Sequence, residues 1–143
     1  MSEIADALNN CEYLDLMEIS HPGDLHLRLI VGEAKVQKAT TLSNASRHTV
    51  IATDKSCRIF RVEWKFYVGY SIRNESWASK QSDAVYTGKH FVRYSVSNYL
   101  DFIKKSTIDL SEVTGEYYHW GFFCLNHIVD VVAGNPPEIT PIQ

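Results

Sequence analysis

The chain lacks the features that mark the more easily read protein classes. Its three cysteines, Cys11, Cys57 and Cys124, form an odd set with no C-x-x-C pair, unlike a disulfide framework or a zinc knuckle. Free thiols are expected, with Cys124 buried between Phe123 and Leu125. No stretch approaches the ~20 apolar residues needed to cross a bilayer, and Glu3 and Asp6 stand where a signal peptide carries basic residues. A cytoplasmic location without a membrane partner is therefore expected. Basic excess is missing too: a net charge of −3 and a pI near 6.0 disfavour a grip on phosphate backbones, which needs clustered Lys and Arg, so nucleic acid is not an expected partner. No Gly-x-Gly-x-x-Gly, P-loop or G-x-S-x-G pattern occurs. Dinucleotide, nucleotide and hydrolase-elbow chemistry thus have no direct support, and no cofactor is expected.

What is present is alternation. Phe60, Val62, Trp64, Phe66, Val68, Tyr70 and Ile72 occupy every second position, interleaved with Arg61, Glu63, Lys65, Tyr67, Gly69, Ser71 and Arg73. Strand side chains alternate between faces, so the spacing predicts one apolar face and one that suits solvent or a partner. Such unequal faces indicate an antiparallel, mainly β domain. A straight strand of this length would exceed the usual one, so a bend or bulge is expected at Gly69.

The 143 residues suffice for one domain with a real core. A short helix capped by Ser2 is expected to end at Asn9-Asn10, and a turn at His21-Pro22-Gly23-Asp24 precedes a strand carrying Leu25, Leu27, Leu29 and Val31. The polar stretch from Lys38 to Arg47 reads as a connection before a short strand around Thr49 to Thr53. A strand from Val85 to Val96, bent at Gly88-Lys89, leads to Ser97. This serine caps a helix whose Tyr99, Phe102 and Ile103 form one apolar stripe set to lie against a sheet edge or end. After a polar stretch from Thr107 to Glu116, Tyr117 to Val132 reads as a central strand buried on both faces, and residues 134–143 as an extended, proline-rich tail without regular pairing.

Three stretches, YVGYSIRNESW (67–77), FVRYSVSNYLDF (91–102) and HWGFFCLNHIVDV (119–131), together resemble a group of small bacterial proteins of unassigned function. In that group an aromatic strand ends in an Asn-Glu-Ser loop and a late strand carries a Leu-Asn-His segment. The resemblance implies a shared fold and supplies no activity.

Candidate site residues therefore rest on side-chain chemistry. Arg73, Asn74, Glu75 and Ser76 place a cationic fork, an amide, a carboxylate and a hydroxyl within four residues, a set that suits a small polar ligand or a general base, or simply a turn. His127 and Asp130, beside Asn126, interrupt an apolar run, with His127 and Asp130 on opposite faces of an extended strand. A hydrogen-bonded structural histidine is the plainer reading of His127. His119 adds a third metal-type ligand but no tight motif, so no metal is expected. Cys124 among aromatic residues reads as inert. The reading is an antiparallel sandwich or strongly bent sheet with one short helix. Its expected function is binding without chemistry, through Tyr67, Arg61, Glu63, Lys65 and Arg73 on one sheet face, for a protein partner or small polar ligand. Small size and mild acidity suggest an immunity protein that blocks a toxin. The rival is a small enzyme pairing Glu75 with His119 or His127 as acid and base.

Overall fold

A computed structural model describes residues 2–37, 50–108 and 115–143. In chain order the elements are α1 (Glu3–Asn9), β1 (Tyr13–Ser20), β2 (Leu27–Gln37), β3 (Val50–Ala52), β4 (Ile59–Trp64) and β5 (Tyr67–Asn74). There follow β6 (Val85–Gly88), β7 (Phe91–Val96), α2 (Asn98–Ser106), β8 (Tyr118–Phe123), β9 (His127–Ala133) and β10 (Glu138–Pro141). They build two antiparallel sheets, one ordered β1-β2-β4-β10 with β3 on the far end of β2, the other ordered β5-β9-β8-β7-β6. The expected mainly β sandwich with a short helix is thus the fold. The polar connection from Lys38 to Arg47 and most of that from Thr107 to Glu116 lie outside the described residues.

Alternation fills the space between the sheets. Leu27, Leu29 and Val31 of β2 and Phe60, Val62 and Trp64 of β4 point inward and are buried against Phe91, Trp120, Phe122, Val129 and Val131 of the second sheet. Helix α1, capped by Ser2, closes one end of this core with Ala5 and Leu8. It is tied to the β6–β7 turn by Asn9, whose Oδ1 accepts from the backbone N–H groups of Lys89, His90 and Phe91 at 2.8–3.0 Å.

Four expectations are corrected. The alternating stretch is not one strand: the chain turns a corner at Lys65-Phe66, so β4 belongs to the first sheet and β5 to the second, and Phe66 is 66% exposed. Gly69 follows a slip in the β5–β9 register rather than making that corner. Residues 117–132 are a hairpin, turning at Asn126 with φ of 66°, and residues 85–96 are another, turning beside Gly88, where a side chain would run into the Phe91 carbonyl. Both strands of the former lie inside the sheet and carry successive buried residues on both faces, so the burial expected of it holds for β8 and β9 as a pair rather than for one strand. The C-terminal tail pairs regularly, Glu138–Pro141 lying antiparallel to β4. Proline is tolerated there because β10 is a sheet edge, where one side of the strand needs no donors.

The outward residues expected on one surface are also separated. Glu63 is enclosed by His26 at 2.6 Å, Arg61 at 2.7 Å and Arg28 at 3.5 Å on the first sheet. Tyr67 instead packs half-buried against the core, edge-on to Tyr70, and Arg73 lies on the second sheet. A second carboxylate, Glu33, is almost wholly buried beside Arg58 at 3.1 Å and Lys35 at 3.7 Å. Burial pushes its carboxyl up, but hydrogen bonds from the side chain and backbone of Arg58, with the charges of Arg58 and Lys35, outweigh this and hold it below its ordinary value. A depressed folded value means that the stability it contributes is present above the unfolded value of ~4.3 and is lost as pH falls through the folded one. Glu33→Gln is expected to flatten the acid limb of urea midpoints measured below about pH 4.3. An unchanged slope would show that Arg58 does not favour the ionised form.

Candidate functional site

The outer face of the second sheet carries the concentrated polar chemistry, and α2 explains why it is buried. The strand β7 ends at Val96, and Ser97 takes an extended conformation (φ −159°, ψ 151°) from which its Oγ accepts the N–H of Leu100 at 3.0 Å as the helix N-cap. The apolar face of α2 is Leu100 and Ile103, packed with Tyr99 against Val68 and Val132 over the sheet face. Phe102 is 59% exposed, so the expected stripe is corrected by one helix position, and the expected placement at a sheet edge or end by the sheet face. Gly69 makes room for the helix, since a Cβ there would lie 2.7 Å from Ile103 Cδ1.

Under the start of α2 runs a buried chain of hydrogen bonds drawn from separate elements. Ser97 Oγ lies 2.7 Å from His119 Nδ1, and His119 Nε2 lies 2.7 Å from Asp130 Oδ1. Arg73 donates to Asp130 Oδ2 at 3.3 Å. With Asp130 ionised and the imidazole neutral, Nε2 donates to the carboxylate and Nδ1 accepts from the Ser97 hydroxyl. Ser97, His119 and Asp130 are each no more than 3% exposed. Tyr94 covers the imidazole, stacked at 4.1 Å and 10°. It lies flat because Gly121 is beneath it: a Cβ there would be 2.9 Å from Tyr94 Cε2. Burial, then the charge of Asp130, pushes the Tyr94 phenol up to about 12.

This chain forms the floor of an open cleft of about 900 Å³. Tyr86, Tyr94 and Phe123 make its sheet-side wall, Tyr99 and Phe102 its helix-side wall, and Glu75, Lys80, Gln81 and Asp83 stand among its polar residues. Gln81 closes one corner by accepting the N–H of Asn98 and donating to Asp83, both at 2.8 Å.

No protein-family model matches the chain, and neither a curated protein nor a solved structure matches it. The cleft gathers residues from three separate stretches of the chain: Arg73 and Glu75 from 67–77, Tyr94 and Ser97 from 91–102, His119 and Asp130 from 119–131.

The other candidate residues fall elsewhere. Asn74 caps the 3₁₀ turn Glu75–Trp77 by accepting the N–H of Ser76 at 2.9 Å, the plain turn role expected of this pair. Asn126 occupies the β8–β9 turn, its carbonyl accepting the Glu75 N–H at 3.0 Å. Tyr67 does not line the cleft. His127, in register with Asn74, is half-buried, and among the described residues its buried Nδ1 has no partner, unlike the hydrogen-bonded histidine expected. Glu75 has no hydrogen bond or ion pair to His119 or His127 among the described residues; His119 is paired with Asp130 instead. The free thiols are as expected, and burial with the nearby Asp15 charge pushes Cys124 up to about 12. Among the described residues no group of three or more His, Cys, Asp or Glu is placed to hold a metal ion, and no helix is long and apolar enough to cross a membrane.

Ser97, His119 and Asp130 have the atom types of a hydrolytic triad but not its arrangement. In a triad the serine faces Nε2 and stands open to substrate. Here it faces Nδ1, is buried, and spends its acceptor on the helix cap. The chain can lock α2 to the sheet and fix the cleft floor.

Proposed function

We propose that the chain is a binding domain without chemistry of its own, taking a small polar ligand or a polar segment of a partner protein in the cleft beneath α2. The carrying observation is the contrast between floor and mouth. The floor groups Ser97, His119 and Asp130 satisfy one another, while Glu75, Lys80 and Phe102 stand exposed at the mouth, and Glu75 and Lys80 have no ion pair among the described residues. A rigid, walled concavity with a few unspent polar groups costs little ordering on binding. Nothing in the geometry singles out a toxin as the partner.

Native purification followed by mass spectrometry tests the reading. The parent is expected to retain a ligand or partner that the double variant Glu75→Gln, Phe102→Ala loses, with stability changed by no more than ~0.5 kcal/mol because both side chains are exposed. Equal retention by both proteins would remove the cleft as the site. The burial of Ser97 and its contact with Nδ1 argue against a hydrolytic role, and a fluorophosphonate adduct on Ser97 by intact mass would overturn that conclusion.

A further inference from the structure

Resting on the cleft reading, we infer that the bound group is an organic cation, an alkylated ammonium or a guanidinium, seated between the aromatic walls and held by carboxylates at the mouth. Five tyrosine and phenylalanine rings line the cleft. Tyr86 lies 5.3 Å from Tyr94 and 5.6 Å from Phe123 on one side, and Tyr99 lies 6.3 Å from Phe102 on the other. The face of an aromatic ring is electron-rich and attracts a cation within about 6 Å of its centroid, more so for weakly hydrated alkylated ammonium and guanidinium groups.

The charges point the same way. Arg73 is the strongest potential anion receptor in the cleft, but it is already turned onto Asp130 at 3.3 Å, so the two largely cancel. What remains is Glu75 and Asp83 against Lys80, an excess of negative charge around aromatic walls. An anion taken up by the remaining donors of Arg73 would stand beside the Asp130 carboxylate that Arg73 already pairs; a cation leaves the floor intact. A free small molecule and a Lys or Arg side chain of a partner protein share this chemistry.

The test titrates the intact protein at fixed ionic strength with tetramethylammonium, methylguanidinium, acetate and methyl phosphate, following amide shifts by NMR. The two cations are expected to bind and to shift cleft amides, with affinity falling about tenfold in Tyr86→Ala and in Glu75→Gln. Both side chains are exposed, so unchanged spectra away from the cleft will show that the variants remain folded. A blocked tripeptide with a central arginine, compared with methylguanidinium, separates the sources: tighter binding assigns a protein side chain, equal or weaker binding a free cation. Anion binding that Arg73→Gln removes would overturn the cation and leave the cleft reading standing. Cation binding untouched by both variants, or no binding by any probe, would also overturn the inference; the co-purification experiment then decides the cleft reading separately.

Discussion

Trp64→Ala is expected to lower the free energy of unfolding by ~3–5 kcal/mol, the usual range for truncating a large buried aromatic. Trp64 is 2% exposed, with its ring centroid 6.3 Å from that of Trp120 and 6.2 Å from that of Phe122, the latter edge-on. It belongs to one sheet and the other two to the second, so its loss opens a void in the seam between them. Phe66→Ala, two residues on, should cost less than ~0.5 kcal/mol because that ring already faces water. Urea midpoints decide: comparable large losses for both would mean that Phe66 is interior and the Lys65-Phe66 corner is misplaced.

Asp130→Ala should cost ~1–3 kcal/mol, because it leaves the buried His119 Nε2 without its acceptor, whereas Arg73, about half exposed, can turn to water. His119 Nε2 and one donor of Arg73 would lose their acceptor. Asp130→Asn keeps an amide oxygen that still accepts from His119, and should cost less than half as much. The same pair of variants reports on α2. If the chain anchors the Ser97 cap, exchange of the Leu100 amide, which donates to Ser97 Oγ, should accelerate in the alanine variant beyond what global destabilisation explains. A loss under ~0.5 kcal/mol for Asp130→Ala would leave the helix held by Leu100 and Ile103 alone.

Periodicity made the strands around Phe60–Ile72 legible but hid their division between sheets. Alternation runs through a two-residue corner without losing phase, so Phe66 reads as interior when it stands on the outside of the bend. β1 went unread for the opposite reason: its register slips between Leu16 and Glu18, and the extra residue, Met17, breaks the period that would have revealed it. The site was visible only as ingredients. His119 and Asp130 stand out as polar groups in apolar surroundings, yet their contact depends on the hairpin turn at Asn126, and an asparagine amid strand-favouring residues reads as part of a strand. Ser97 was legible as a cap because that role is local; its bond to His119 crosses from the end of β7 to β8 and leaves no local mark. Gly121 reads as any strand glycine until Tyr94 is seen lying across it.

The corner at Lys65-Phe66 also bears on how the molecule comes apart. The chain passes from the first sheet to the second there, and back again between β9 and β10. Strands β6 to β9 form a meander of successive antiparallel neighbours, yet β5, which completes their sheet, continues directly into β4, flanked by β2 and β10. Peeling β5 away therefore pulls on the middle of the opposite sheet. Neither layer can melt alone, and the sandwich should lose both in one cooperative step, with the cleft vanishing at the same midpoint as the core.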